Sequence, residues 1–311
     1  MQQAVIGMDI GGTNIKAGVV TLEGELVYDL KAPTHSEAGK AALLNTIEET
    51  VKTCLQKAAT CGLHIIAIGI GTAGFINLKG EIGSATANLP DWKGTPLKEE
   101  IAKRIGIPVF VDNDVNVLAL GELWQGAGQG INDFLCVSLG TGVGGCLILG
   151  GLPYQGRSGY AGAFGHQIIQ MGGVPCTCGS AGCWEQYASV TALRRQAAEV
   201  QEKAWADNPR LIFDEAKADH RKAQNLVNQY TEYIAVGLSN LIHHFNPPAI
   251  IIGGAITEQG DFLLDPIRTY IEQYTMDGFA NDPNLPIIAA QLGNRAGLIG
   301  AAKLAVTRME A

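Results

Sequence analysis

Two segments of the chain, VIGMDIGGTNIKAGVV (residues 5–20) and FLCVSLGTGVGGCLIL (134–149), share one shape: apolar strand, glycine turn, apolar strand. Their turns are offset by 129 residues (140 minus 11), and the residues themselves differ, so it is the pattern that repeats. Strand and helix signals alternate after each hairpin, with LHIIAIGIGTAG and IPVFVDND in the first half and AIIIGG in the second. Such alternation predicts α/β architecture with mixed sheets. At 311 residues the chain exceeds the length, about 250–300 residues, at which single cores stop growing. Two related α/β domains around a cleft are therefore expected. Residues 1–116 form the smaller and 117–295 the larger, and the helical pattern VNVLALGELWQ after Asp114 carries the chain between them. The pattern AGLIGAAKLAVTRM, about 296–311, predicts a closing amphipathic helix that packs back on the first domain.

Composition narrows the function. Hydrophobic residues at 47% and charged residues at 17% are those of an ordinary soluble globular protein. A net charge of −8 with no Lys/Arg run gives a nucleic-acid backbone no electrostatic footing. The start, MQQAVIGMDIGGT, lacks a basic leader region, and no apolar run is long enough to span a bilayer. A cytoplasmic protein without membrane or nucleic-acid partners is expected. Cys54, Cys61, Cys136 and Cys146 are scattered among apolar residues, and Cys176, Cys178 and Cys183 cluster in a glycine-rich loop. That is not the layout of a secreted disulfide framework.

The run GTGVGG matches the dinucleotide fingerprint in form, with Gly140, Gly142 and Gly145 in its glycine places. The fingerprint needs a helix to open at those glycines, whereas GCLILGG reads as a second strand. What remains is a tight turn with little side-chain bulk, either a plain hairpin turn or a cradle for phosphate oxygens. The run DIGGTN offers the same alternatives, with Asp9 able to hold Mg²⁺ through water and Thr13 to donate a hydroxyl. Two such loops in duplicated positions favour a nucleotide clamped between domains.

In VFVDNDVNVLALGELW a strand runs through Asp112, Asn113 and Asp114 into a helix. Ligand sites in α/β folds lie at such strand ends. One of the three residues can cap the helix, and one carboxylate near the helix N-terminus can act as a base toward a hydroxyl. His166, Cys176, Cys178 and Cys183 form H-x9-C-x-C-x4-C, four ligands that suit a tetrahedral Zn²⁺. A complete set leaves no open position, so such a zinc is structural; free thiols or a local disulfide are the alternative. Glu185 is either held toward a ligand by that loop or is a surface acid in the first turn of a helix, WEQYASVTALRR.

Taken together, DIGGTN, VDNDVN, LGTGVGG, GHQIIQMGGVPCTCGSAGCWEQYAS, IIIGGAI and AGLIGAA resemble the ROK family of sugar kinases and related repressors, within the actin-like, hexokinase-like ATPases. The resemblance implies two actin-like (ribonuclease H-like) domains with mixed sheets, ATP with Mg²⁺, and γ-phosphate transfer to a hexose, usually at O6. By position, Asp114 would activate the sugar hydroxyl and Asn113 would bind neighbouring hydroxyls. His166 and Glu185 would reach the sugar near C1 and C2, with His166 also a zinc ligand beside Cys176, Cys178 and Cys183. The segment from Gly74 to Asn88 would add sugar contacts, with Thr86 and Asn88 chosen. Asp9, Gly11, Gly12, Thr13, Gly140, Thr141 and Gly142 would hold phosphates, and Gly253, Gly254 and Ala255 would lie near the adenosine. A homodimer or dimer of dimers is implied.

Repressors of the family carry a DNA-binding helix-turn-helix ahead of the first glycine loop. Here that loop begins near residue 9, which leads us to expect a kinase, glucokinase-like. One departure matters. Where the family has Glu-x-Gly-His this chain reads AFGH, with Ala163 in the place of a sugar-binding glutamate. A kinase of an amino or N-acyl hexosamine such as N-acetylmannosamine, or of a β-glucoside, is the alternative this raises, and a non-catalytic sugar sensor is the rival of another class.

Overall fold

The computed structural model describes residues 2–85, 89–280 and 285–310. It is α/β with two five-stranded mixed sheets. The first contains β1 (Gln2–Ile10), β2 (Asn14–Thr21), β3 (Leu26–Pro33), β4 (Leu63–Thr72) and β5 (Val109–Asn113), in the order β3-β2-β1-β4-β5. Strands β1, β2 and β3 are an antiparallel meander, and β4 and β5 follow in parallel beyond β1. The second contains β6 (Phe134–Leu139), β7 (Val143–Leu149), β8 (Leu152–Pro153), β9 (Ile250–Gly253) and β10 (Ile287–Ala289). Its order, β8-β7-β6-β9-β10, is the first sheet's order over again, with β9 parallel to β6 and β10 parallel to β9. The repeat seen in the two hairpins thus extends to all five strands of each sheet.

The chain groups into two compact units, one of residues 1–132, 148–161 and 291–311, the other of 133–147 and 162–290. The boundary expected at 116/117 falls within the helix Asp114–Gln125, which lies wholly in the first unit.

In the first unit, α1 (Lys40–Thr60) and α2 (Leu97–Ile105) turn Leu43, Ile47, Val51, Leu97 and Ile101 onto Ile6, Met8, Ile68 and Ile70 of the sheet. The opposite face receives α3 (Asp114–Gln125) and the C-terminal helix Ala296–Glu310, through Leu298, Ile299, Ala302 and Ala305 against Val5, Val20 and Ala67. Because β1 is covered on both faces, AVIGM is buried without a break rather than in alternation. In the second unit a 25-residue helix, Arg221–Phe245, packs Tyr230, Ile234 and Leu238 into a core with Trp184, Trp205, Phe213 and the strand residues Leu135, Val137, Ile250 and Ile252.

Two contacts fix the C-terminal helix. A Cβ on Gly69 would sit 1.7 Å from the carbonyl oxygen of Ala301, and one on Gly300 would sit 1.5 Å from that of Val117. Both obstacles are backbone, so nothing flexible can yield. A second anchor is Glu122 of α3, fully buried, whose carboxylate accepts the N–H groups of Ala127 (2.8 Å), Gln291 (2.9 Å) and Leu292 (2.9 Å). It clasps the strand-to-helix connection just where the first unit resumes.

Gly300→Ala tests the packing. Ala raises helix propensity by about 1 kcal/mol, while overpacking costs about 1–3 kcal/mol or more. With backbone as the obstacle the clash wins, and urea unfolding should show a net loss of about 2 kcal/mol or more. A variant of equal or greater stability would contradict the close approach.

Candidate functional site

Strand β5 delivers VDN to its C-terminal end, and the division of labour there is clear. Asn113 is the helix cap: its Oδ1 accepts the N–H of Val115 at 2.8 Å and of Asn116 at 3.4 Å. Its Nδ2 donates to the carbonyl of Gly74 at 2.9 Å, so the cap also holds the turn that leaves β4. Gly74 has φ +109, and a Cβ there would meet the Ser84 carbonyl at 2.2 Å. Thr86 and Asn88, expected next to it, lie outside the described residues.

With capping done by Asn113, Asp114 is left as the first residue of α3, its Oδ1 accepting the Val115 N–H at 3.0 Å. Burial, and then the negative charge of Asp9, push the Asp114 carboxyl up to about 6. Asp9 comes from the end of β1 and is itself raised by burial, opposed by Lys16, its partner across the β1–β2 hairpin. A Cβ on Gly297, in the first turn of the C-terminal helix, would lie 2.7 Å from Asp9 Cγ. Lys16 Nζ donates to Asn294 Oδ1 at 3.1 Å. The turn after β1 is pinned from below, with Thr34 and Ser36 hydroxyls donating to the Gly12 carbonyl at 2.9 and 3.0 Å and Gly11 N–H to Asn14. Thr13 is exposed. The first unit therefore brings together Asp9, the 11–13 turn, Gly74, Asn113 and Asp114.

The second unit assembles its own group. In the turn after β6, Gly140 N–H bonds the Gly142 carbonyl at 3.0 Å. The start of the helix Val190–Glu199 holds this turn, with Val190 N–H donating to Gly140 O at 2.9 Å and Thr191 Oγ1 to Thr141 O at 2.7 Å. Gly253 ends β9, and Gly254 (φ +105) backs onto the base of the same turn: a Cβ on it would sit 2.1 Å from the Leu139 carbonyl. Ala255, exposed, begins a short 3₁₀ turn.

The His/Cys loop closes on itself. Ligand atoms of His166, Cys176, Cys178 and Cys183 all lie within 4.8 Å of one another. Cys178 and Cys183 sulfurs are 3.6 Å apart, and Cys176 Sγ is 3.7 Å from His166 Nδ1. A tetrahedral zinc with bonds of about 2.3 Å to sulfur and about 2.0 Å to nitrogen sets edges of about 3.5–3.8 Å. The donor set and these two edges fit zinc, and all three thiols are free rather than paired in a disulfide.

Glu185 stands between the loop and the 140–142 turn. Its Oε1 lies 3.3 Å from Cys176 Sγ and 3.9 Å from His166 Nδ1, and a Cβ on Gly142 would lie 2.6 Å from its Oε2. The single helix expected from WEQYASVTALRR is broken in two: Glu185–Ala188 ends at Ser189, whose hydroxyl accepts the Ala192 N–H and so caps Val190–Glu199. That break is what frees the start of the second helix to hold the 140–142 turn. Ala163 is exposed, with φ −70 and ψ 45, ahead of the turn Phe164–His166.

Lys16, Asn294, Gln155 and Arg308 went unread in the sequence. Lys16 was legible, since a hairpin closing at 11–13 places residue 16 opposite residue 9. The others reach their places through tertiary folding alone.

The sequence pattern of the ROK family matches residues 5–308. The chain belongs to the ROK family. It is 39% identical to a glucokinase of Streptomyces coelicolor, over 96% of each chain. A crystal structure of a ROK family glucokinase from Streptomyces griseus, in complex with glucose and AMPPNP, superposes with a TM-score of 0.83 at 37% identity, covering 98% of this chain and 99% of that one. A ROK hexokinase from Thermus thermophilus superposes with a TM-score of 0.84 at 32% identity, covering 99% of each. The duplicated sheets are thus those of the actin-like ATPase fold of the ROK hexokinases. No described helix is long and apolar enough to cross a membrane.

The raised Asp114 has a stability consequence whose sign is fixed. Its folded pKa, about 6, exceeds the unfolded value of about 3.9, so the folded state binds more protons between those values. Stability contributed by this group falls as pH rises through that window, and the penalty is complete above it. Asp114→Asn should therefore raise stability at pH 7.5 by about 1–3 kcal/mol, the gain shrinking toward pH 4. Thermal melts of both proteins at pH 7.5 and 5 check it, and an unchanged or lower melting point at pH 7.5 would refute it.

Proposed function

We propose that this ROK protein is an ATP-dependent hexose kinase, glucokinase-like, that transfers the γ-phosphate to the 6-hydroxyl of glucose or a close relative. The observation that carries the reading is Asp114: a carboxylate at a strand end, relieved of capping by Asn113 and raised to about 6, next to a second acid and a glycine turn. The similarity to glucokinases along nearly the whole chain supports the same reaction.

In this reading the sugar 6-oxygen attacks the γ-phosphorus as its proton passes to the Asp114 carboxylate, and the bond to the bridging oxygen breaks to release ADP. Phosphoryl transfer asks the protein mainly for positioning and charge stabilisation, so one base of this kind suffices. Asn113 and the Gly74 segment, with Thr86 and Asn88, hold sugar hydroxyls, as do His166 and Glu185 from the second unit. Asp9, Gly11, Gly12 and Thr13 of the first unit and Gly140, Thr141 and Gly142 of the second bind phosphates, and Gly253, Gly254 and Ala255 adjoin the adenosine. Mg²⁺, held by Asp9 through water, would neutralise phosphate charge. Zinc on His166, Cys176, Cys178 and Cys183 would be structural, fixing His166 and Glu185 in register. The protein is cytoplasmic and a homodimer or dimer of dimers in this proposal.

ADP release, measured with ATP and a panel of sugars, tests the activity. Glucose should be phosphorylated, with kcat/KM falling about tenfold per pH unit below about 6 as Asp114 takes up its proton. Preference for an N-acyl hexosamine or a β-glucoside would redirect the substrate, and no turnover with any sugar would favour a sensor. Asp114→Asn should lose about 10²-fold or more of kcat; full retention would sink the mechanism.

Ala163 makes a further expectation specific to this chain. The position is exposed and its φ is negative, so a glutamate can be accommodated. A hydrogen bond from a charged group is worth about 1.5–3 kcal/mol. Ala163→Glu should accordingly lower the KM for glucose by about 10- to 100-fold. A KM that stays the same or rises would show that another group already serves there. Metal analysis should find about one zinc per chain, lost in Cys176→Ser together with sugar affinity. A metal-free protein of full activity would remove zinc from the account.

A further inference from the structure

Asp112 is the most deeply buried of the three polar residues at the end of β5, at 2% exposure, and nothing in the reaction uses it. Its partners are complete. Oδ1 accepts the backbone N–H of Asn113 and the Nδ2 of Asn116, both at 2.7 Å. Oδ2 accepts Nε2 of Gln155 at 3.0 Å. Gln155 lies just after β8, and its own Oε1 accepts Nη2 of Arg308 at 2.9 Å, near the end of the C-terminal helix. A cavity of about 180 Å³ lies along this chain of bonds, lined by Asp112, Leu120, Leu152, Gln155, Leu304 and Arg308.

The direction of each bond is fixed by its ends. Arg308 can only donate, so it selects the Gln155 oxygen and turns the amide nitrogen toward Asp112. A carboxylate can only accept, which agrees. Burial raises the Asp112 carboxyl, while Asn116, the Asn113 N–H, Arg308 and Gln155 favour its ionised form. The fixed carboxylate then ties down the Asn113 N–H at the junction where strand becomes helix, one residue before Asp114.

We propose that Asp112 is a positioning residue for Asn113 and Asp114, held in place by a relay from Arg308 through Gln155. This rests on Asp114 being the base, as proposed above. A base displaced by a fraction of an ångström from the attacking hydroxyl loses rate rather than nucleotide affinity.

Reversing the relay's polarity tests it. In D112N the amide oxygen still accepts from Asn113, but its NH₂ faces the Gln155 NH₂. Adding Q155E supplies an acceptor for that NH₂ and a carboxylate for Arg308. D112N and Q155L should each lower kcat by about 10- to 100-fold with the KM for ATP unchanged. D112N/Q155E should recover most of the loss. R308M, altering an exposed side chain, should give a smaller loss that vanishes in a Q155L background.

Hydrogen exchange gives a readout that does not depend on kinase activity. The amides of residues 113–116 should exchange about tenfold faster in Q155L and D112N, and at the wild-type rate in D112N/Q155E, without a matching change elsewhere. Unchanged protection in both single variants would overturn the relay, whatever the protein phosphorylates. Changed protection with no effect on kcat would overturn the positioning role, while Asp114 as the base stands or falls with the kcat of D114N. A general loss of protection across the fold in all variants, the double variant included, would also overturn it, making Asp112 a residue of stability alone.

Discussion

Backbone-to-backbone contact between the C-terminal helix and its two neighbours is the constraint on which the first unit depends. Gly69 lets the helix lie on β4, and Gly300 lets it cross α3 at the Val117 carbonyl. Because α3 is gripped this way, its first turn is a fixed platform, and Asn113 and Asp114 inherit that rigidity. The same helix places Gly297 against Asp9, so one element seats both acids. Side-chain packing around it then fills in what close approach has set.

Holding two carboxylates near each other is unfavourable for folding, and the surroundings show how it is tolerated. Lys16 faces Asp9 across the hairpin, and backbone N–H groups reach the Asp114 carboxylate. Glu122, though fully buried, is met by three backbone donors and so makes no such demand. The contrast separates an acid whose oxygens are met by backbone donors from two whose carboxyls burial raises.

Much of this was legible in the sequence, for physical reasons. The hairpins and parallel strands are apolar runs, and the duplicated hairpins pointed to two related domains, a likeness that the strand order of the two sheets completes. The His/Cys spacing held because its ligands sit on one short loop, where sequence distance limits spatial distance. Strands β3, β8 and β10 were missed: β3 is nowhere fully buried and mixes charged with apolar residues, and β8 and β10 are only two and three residues long. The split at Ser189 was missed because the apolar pattern continues across it, and only the hydroxyl cap shows the break. Beyond Ser189 the chain runs through four separate helices, Val190–Glu199, Lys203–Asp207, Arg210–Lys217 and Arg221–Phe245. Asp112, Gln155 and Arg308 stand far apart in the chain, so no local pattern joins them.

The first unit is gathered from three separated stretches, and its last, residues 291–311, supplies the helix that covers one face of the sheet. During synthesis the strands β1 to β5 leave the ribosome long before that cover exists. Val5, Val20 and Ala67 must wait, exposed, while the second unit is made. The second unit, complete once residue 290 has emerged, is free to fold first. The nascent first unit therefore carries uncovered apolar surface until the final helix arrives, the condition under which incomplete chains aggregate.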